Sequence, residues 1–143
     1  MKTIKDILLW IWQLPQNIVG LFLILITGYD KKVIANNGNK IYFSSRMSGG
    51  ISLGKYSIIS EYYIRKCKTD KDILDLDVSK HEALGHGTQS RYLGPFYLPV
   101  VGLQSIIWAS LYGNSKWFPY TKNGYYKFWT EKWADKLGGV IRK

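Results

Sequence analysis

Apolar residues dominate positions 7–28 (ILLWIWQLPQNIVGLFLILITG), with Lys2 and Lys5 before them and Asp30-Lys31-Lys32 after. About 20 such residues span a bilayer as one helix. Here Gln13-Leu14-Pro15-Gln16-Asn17 breaks the run with amides and a helix-breaking ring. Three membrane arrangements follow: a Pro-kinked span, a re-entrant hairpin turning at Pro15, or an amphipathic stretch followed by a short buried helix. A core helix of a soluble domain is the alternative to all three. No A-x-A-like site follows the run, which argues against a cleavable export signal. Lysines at both ends leave the orientation open under the positive-inside rule.

Positions 33–64 change to the two-residue period of strands. Val33-Ile34-Ala35 and Lys40-Ile41-Tyr42-Phe43 flank Asn36-Asn37-Gly38-Asn39, a good hairpin turn. Residues 46–59 read as a bent, bulged strand through Gly49-Gly50-Ile51-Ser52-Leu53-Gly54, then Tyr56-Ser57-Ile58-Ile59. Residues 66–79 (KCKTDKDILDLDVS) are charged and turn-like. Asp77 and Ser79 are both good N-caps for a helix over 77–91.

A second apolar block, residues 92–113, contains Pro95, Pro99 and Gly102, so a broken or interfacial pair of helices fits better than one straight span. Trp108, Tyr112, Trp117, Phe118, Tyr120, Tyr125, Tyr126 and Trp129 crowd its C-terminal end and resemble an interfacial aromatic belt. A last helix over 124–138 stops at Gly138-Gly139. The whole is one small α+β domain, 143 residues long: a short antiparallel sheet, the helix over 77–91 and the C-terminal helix, with apolar, membrane-associated helices.

Twenty Lys+Arg against ten Asp+Glu give a formal charge of +10. The basic residues are scattered, with no dense stripe or RNA-binding signature, so the expected partner is membrane lipid and not nucleic acid. The single cysteine, Cys67, rules out an internal disulfide and a Cys-rich zinc module. Asp75 and Asp77 lack the glycine and terminal glutamate of a calcium loop and read as capping or loop residues. Nothing in the chain fixes an oligomeric state.

Both histidines of the chain lie in His81-Glu82-Ala83-Leu84-Gly85-His86. Catalytic zinc takes three protein ligands, imidazole among them, and a neighbouring carboxylate can accept a proton from water. Residues four apart on an α-helix are offset by about 40° and can chelate together, whereas residues five apart are offset by about 140°. A regular helix through H-E-x-x-x-H therefore fails. A π-bulge, with its i→i+5 hydrogen bond, restores the alignment, and Gly85 lowers the steric cost of that distortion. Set against this, Ser79-Lys80-His81-Glu82 also fits a capping box, with Glu82 spent on the helix start.

HEALGH resembles the H-E-x-x-G-H motif of the dipeptidyl peptidase III family, whose longer spacing binds zinc. In gluzincins generally, a later helix supplies a third ligand within E-x-x-x-(D/E), which Glu131-Lys132-Trp133-Ala134-Asp135 matches. The resemblance implies one zinc ion held by His81, His86 and Glu131, with Glu82 as catalytic base. Asp135, one turn after Glu131, would orient a ligand histidine. It also implies a peptide or protein substrate paired with an edge strand, for which Gly50-Ile51-Ser52-Leu53 is the candidate. Gln89, Ser90, Arg91, Tyr125 and Tyr126 are candidates to stabilise the oxyanion.

The resemblance covers about a dozen residues, so neither the fold nor the dipeptide-releasing specificity of that family carries over. The order of a Gly-rich strand, HE…GHxxQS, GPFYLP and TEKWADKLGG is also similar to small bacterial membrane-associated zincin-like proteins. Their expected spacing is the shorter H-E-x-G-H, so the additional residue here means a bulge or an inactive site. A non-catalytic membrane interaction or structural protein is thus the alternative to a metallopeptidase. A basic, membrane-disturbing protein is a third reading.

Overall fold

A computed structural model describes residues 3–112 and 124–142. It is a mixed α+β fold with a four-stranded sheet ordered β1-β2-β4-β3. The strands are β1 (Lys31–Ile34), β2 (Lys40–Ser44), β3 (Gly50–Leu53) and β4 (Tyr56–Ser60). The sheet is mixed where an antiparallel one was expected: β2 and β4 run parallel, with Lys40 opposite Tyr56. Residues 46–59 are not one bulged strand. The chain reverses at Gly54, whose φ of 68° suits glycine, and β3 folds back on β4 as a hairpin. That reversal sends β3 to the sheet edge and leaves β4 in the centre, with every residue buried.

Strand alternation divides the core between two faces. Ile41, Phe43 and Ile59 face one way and pack with Val33, Ala35, Ile73 and Ala83. Tyr42, Tyr56 and Ile58 face the other and pack with Ile24 of the helix α2 (Leu14–Thr27). A fully buried Ile or Phe contributes about 1.5–3 kcal/mol, so both layers stabilise the sheet that carries the site. Cys67 packs beside the first cluster as an ordinary apolar side chain.

α1 (Ile4–Trp12) and α2 are bent by 86° at their junction. Pro15 sits in the first turn of α2, where its missing N–H does no harm. The polar interruption is buried, not exposed. The Gln13 Oε1 accepts from Ser90 Oγ (2.7 Å), and Gln16 Nε2 donates to Ser90 Oγ (2.9 Å) and to the Gly94 carbonyl (2.8 Å). Asn17 Oδ1 accepts from the Lys55 N–H at 2.8 Å in the β3–β4 turn. Those bonds lock the N-terminal helices onto the rest of the domain.

The charged segment after β4 is more ordered than expected. Thr69 and Asp72 form a capping box for α3 (Asp70–Asp75), the Thr69 Oγ1 accepting from the Asp72 N–H at 3.1 Å. A continuous helical run follows: α4 (Asp77–Ser79), a π-helix (Lys80–His86) and α5 (Gly87–Leu93). Its N-cap is Leu76, without a side-chain bond, so neither Asp77 nor Ser79 caps it. The second apolar block is broken, as expected, into a 3₁₀ turn (Gly94–Phe96), a second π turn (Leu98–Gly102) and α6 (Leu103–Leu111). The last helix, α7 (Trp129–Gly138), ends at Gly139 in the left-handed conformation. Of the aromatic belt, Trp117, Phe118 and Tyr120 lie outside the described residues.

Among the described residues no single helix is long and apolar enough to cross a membrane. Two helix pairs pass by length and composition only together: α1 with α2, and residues 77–96 with 98–111, the latter bent by 120°. Large apolar side chains nonetheless face outward along α1 and α2, including Ile4 (77% exposed), Phe22 (62%) and Leu25 (82%).

Candidate metal centre

Residues 80–86 form a π-helix, so the i→i+5 geometry that the H-E-x-x-x-H spacing calls for is present. The hairpin turn supports it from outside. Asn37 and Asn39 both donate through Nδ2 to the Ala83 carbonyl, at 2.9 and 3.0 Å. The sequence marks these asparagines only as turn formers; their hold on the π-helix is a long-range contact with no local signature.

Helix packing adds a further reason for Gly85. A Cβ there would collide with the carbonyl of Ala134 on α7, and one on Gly138 would lie 2.6 Å from the Lys80 carbonyl. Two glycines thus let the π-helix and α7 meet backbone to backbone. This close approach brings Glu131 and Asp135 onto the histidines.

His81 Nε2 lies 2.9 Å and His86 Nε2 3.2 Å from the same oxygen, Glu131 Oε2. All three residues are buried. His81 Nδ1 lies 2.7 Å from Asp135 Oδ1, and Arg142 holds that carboxylate through Nε (2.8 Å) and a second nitrogen (2.9 Å). His86 Nδ1 lies 2.7 Å from Gln89 Oε1. Gln89 Nε2 donates to the Thr130 carbonyl at 2.8 Å, which fixes which end of the amide faces His86. Both Nδ1 atoms therefore donate N–H to oxygen. In the neutral rings both Nε2 atoms then carry lone pairs aimed at a carboxylate oxygen. Two lone pairs and an anion repel unless a cation lies among them, and this donor set suits a divalent metal such as zinc.

Protons are the other cations that fit. Burial pulls the His81 pKa down, but the bonds to Asp135 and Glu131, with the charge of Glu82, outweigh it and raise it from 6.5 to about 9. Burial likewise opposes, and the Glu131 bond with the carboxylate charges overcomes, a raised pKa at His86. For Glu131, burial is outweighed by both histidines, which hold it well below the usual carboxylate range. Without metal, the His81 pairing thus stabilises the fold fully below about pH 6.5 and is lost as pH rises through about 9. The lowered Glu131 acts oppositely: its contribution is present above the ordinary 4.5 and is lost as pH falls through its lower folded value. In chelator, melting temperature should fall between about pH 6 and about pH 10 more in wild type than in His81→Gln. Equal falls in both proteins contradict this electrostatic assignment.

Glu82 is buried beside the histidines, and the candidate ligand atoms of His81, Glu82 and His86 lie within 4.8 Å of one another. Its carboxylate is held from the sheet, not used as a cap. Ser52 Oγ lies 2.7 Å from Glu82 Oε2, and a Cβ on Gly50 would come within 2.7 Å of Oε1. Ser79 Oγ, the other half of the expected capping box, is buried without a hydrogen-bond partner among the described residues. Gly50, Ile51, Ser52 and Leu53 line a cavity of about 640 Å³ together with Glu82, His86, Tyr97, Tyr125 and Glu131.

The five residues considered for the oxyanion separate by position. Gln89 orients His86, Ser90 binds Gln13 and Gln16, and Arg91 bonds the Asn37 carbonyl. Tyr126 stands edge-on to His81, with the Arg142 guanidinium 3.2 Å from its ring centre. Tyr125 alone of the five lines the cavity. Burial, then the charges of Glu131 and Glu82, push its pKa far up, so it keeps its proton. Arg142 was not singled out from sequence, since nothing local ties a C-terminal arginine to Asp135. Comparison with known protein families, curated proteins and solved structures finds no match to this chain.

Proposed function

We propose that this chain is a membrane-associated, single-zinc peptidase of gluzincin type, on a zincin-like domain. The observation that carries the reading is the convergence of His81 Nε2 and His86 Nε2 on one oxygen of Glu131, each ring oriented from behind. A site without function has no need of three buried ionisable groups with dedicated orienting partners. That favours catalysis over the non-catalytic membrane protein, the reading supported by the unusual spacing and the large membrane-like fraction.

His81, His86 and Glu131 would hold the ion. When bound, zinc supplies Lewis-acid polarisation of the scissile carbonyl and lowers the pKa of a neighbouring water. Glu82, fixed by Ser52 at the cavity wall, takes a proton from the attacking water. The water oxygen bonds to the carbonyl carbon, the C–N bond breaks, and Glu82 passes the proton to the leaving amine. Tyr125, held protonated, donates a hydrogen bond to the negative oxygen that develops in between. Asp135 and Gln89 keep both Nε2 lone pairs turned to the centre.

Purified full chain loaded with zinc should cleave unfolded protein or peptide substrates. Activity should disappear with a chelator and return with added zinc. Cleavage that persists at undiminished rate in chelator contradicts the reading.

A further inference from the structure

The cavity over the centre is walled mainly by apolar side chains: Leu23 of α2, Leu98, and Leu103, Ile106 and Ala109 of the α6 region, facing β3. The two helices that flank it also turn apolar groups outward. Phe22, Leu25 and Ile26 of α2 and Ile107 and Leu111 of α6 are exposed. An outer surface of this kind suits lipid better than water. The charge of +10, with Lys5 in the first turn of α1 and Lys32 in β1 shortly after α2, complements an anionic headgroup layer.

The strand on the cavity floor also has a defined polarity. The Ser60 N–H donates to the Gly49 carbonyl at 2.8 Å, and the register places Gly50 opposite Ile59. Antiparallel alternation then assigns Gly49, Ile51 and Leu53 to β4 and turns the backbone of Gly50 and Ser52 toward the open edge. The Tyr97 hydroxyl donates to the Ser52 carbonyl at 2.9 Å, as an outward-facing carbonyl permits. The Gly50 groups and the Ser52 N–H are placed to meet an incoming strand directly beside Glu82. Polar side chains carried into these walls would lose water without gaining partners.

Resting on the peptidase reading above, we propose that the substrate is an apolar polypeptide segment seated at a membrane surface. It enters between α2 and α6 and binds extended along the outer edge of β3. Hydrolysis is as described for the general reaction: water adds to the carbonyl carbon and the amine leaves with the proton from Glu82.

The test uses zinc-loaded full chain in phosphatidylglycerol-containing vesicles and two internally quenched peptides of equal length. One has a Leu/Val/Ala core between lysines and partitions into the vesicles; the other has Ser/Asn/Gln in the core and stays in solution. The apolar peptide should be cleaved with a kcat/KM at least about tenfold higher. Ile106→Lys, at a half-exposed wall position, should lower that value about tenfold or more while zinc content stays at wild-type level. Equal rates on both peptides, or an unaffected Ile106→Lys enzyme, overturn the substrate assignment and leave the peptidase reading standing. Failure to cleave either peptide overturns both.

Discussion

Glu82→Gln should keep its zinc and lose roughly 10²–10⁴-fold in peptide hydrolysis, the range that a positioned general base contributes. Glutamine has the same shape and can still accept from Ser52 Oγ, now 2.7 Å from the carboxylate, so the fold and cavity should persist. What it lacks is basicity. The substitution also separates two ligand sets, because Glu82 lies close enough to both histidines to be a third donor itself. Glu131 is the better third donor: its oxygen lies within 3.2 Å of both Nε2 atoms, whereas Glu82 is engaged by the sheet. Elemental analysis beside a peptidase assay distinguishes the cases. Full activity in Glu82→Gln removes the mechanism, and loss of zinc makes Glu82 a ligand.

Gly85→Ala should have the largest effect on the fold. The added methyl meets the Ala134 carbonyl, a backbone atom that moves only with α7 as a whole. Overpacking of this kind costs about 1–3 kcal/mol or somewhat more, equivalent to a melting shift of roughly 3–12 °C in a chain of this length. Zinc affinity should fall as well, since displacing α7 draws Glu131 and Asp135 away from the histidines. Gly102→Ala is the control. Its Cβ would meet nothing nearer than Leu98 Cδ2 at 3.5 Å, so melting should stay within about 1 kcal/mol of wild type. Equal melting temperatures for both variants contradict the close helix contact.

The centre was more legible in the sequence than the architecture around it, for a physical reason. Ligand spacing is local: 3.6 residues per turn is enough to demand a π-helix between His81 and His86 and to put Asp135 on the face of Glu131. The supports are contacts between distant segments. Asn37 and Asn39 on Ala83, Ser52 on Glu82 and Arg142 on Asp135 join positions that no periodicity connects. The parallel pairing of β2 with β4 escaped for the same reason, because Gly54 signals a bulge and a hairpin reversal alike. One support does have a local signature: Thr69 and Asp72 form a capping box in a segment that reads as turn. Gln13, Gln16 and Asn17 look like a break in an apolar run, yet they are the buried contacts that fasten the run to Ser90, Gly94 and Lys55.

Elemental analysis of the detergent-purified chain, with His86→Ala alongside, tests most directly whether the lengthened histidine spacing holds one metal ion. Close to one zinc per chain in wild type, lost in His86→Ala, is the expected result. No zinc in wild type after reconstitution, or undiminished zinc in His86→Ala, contradicts it.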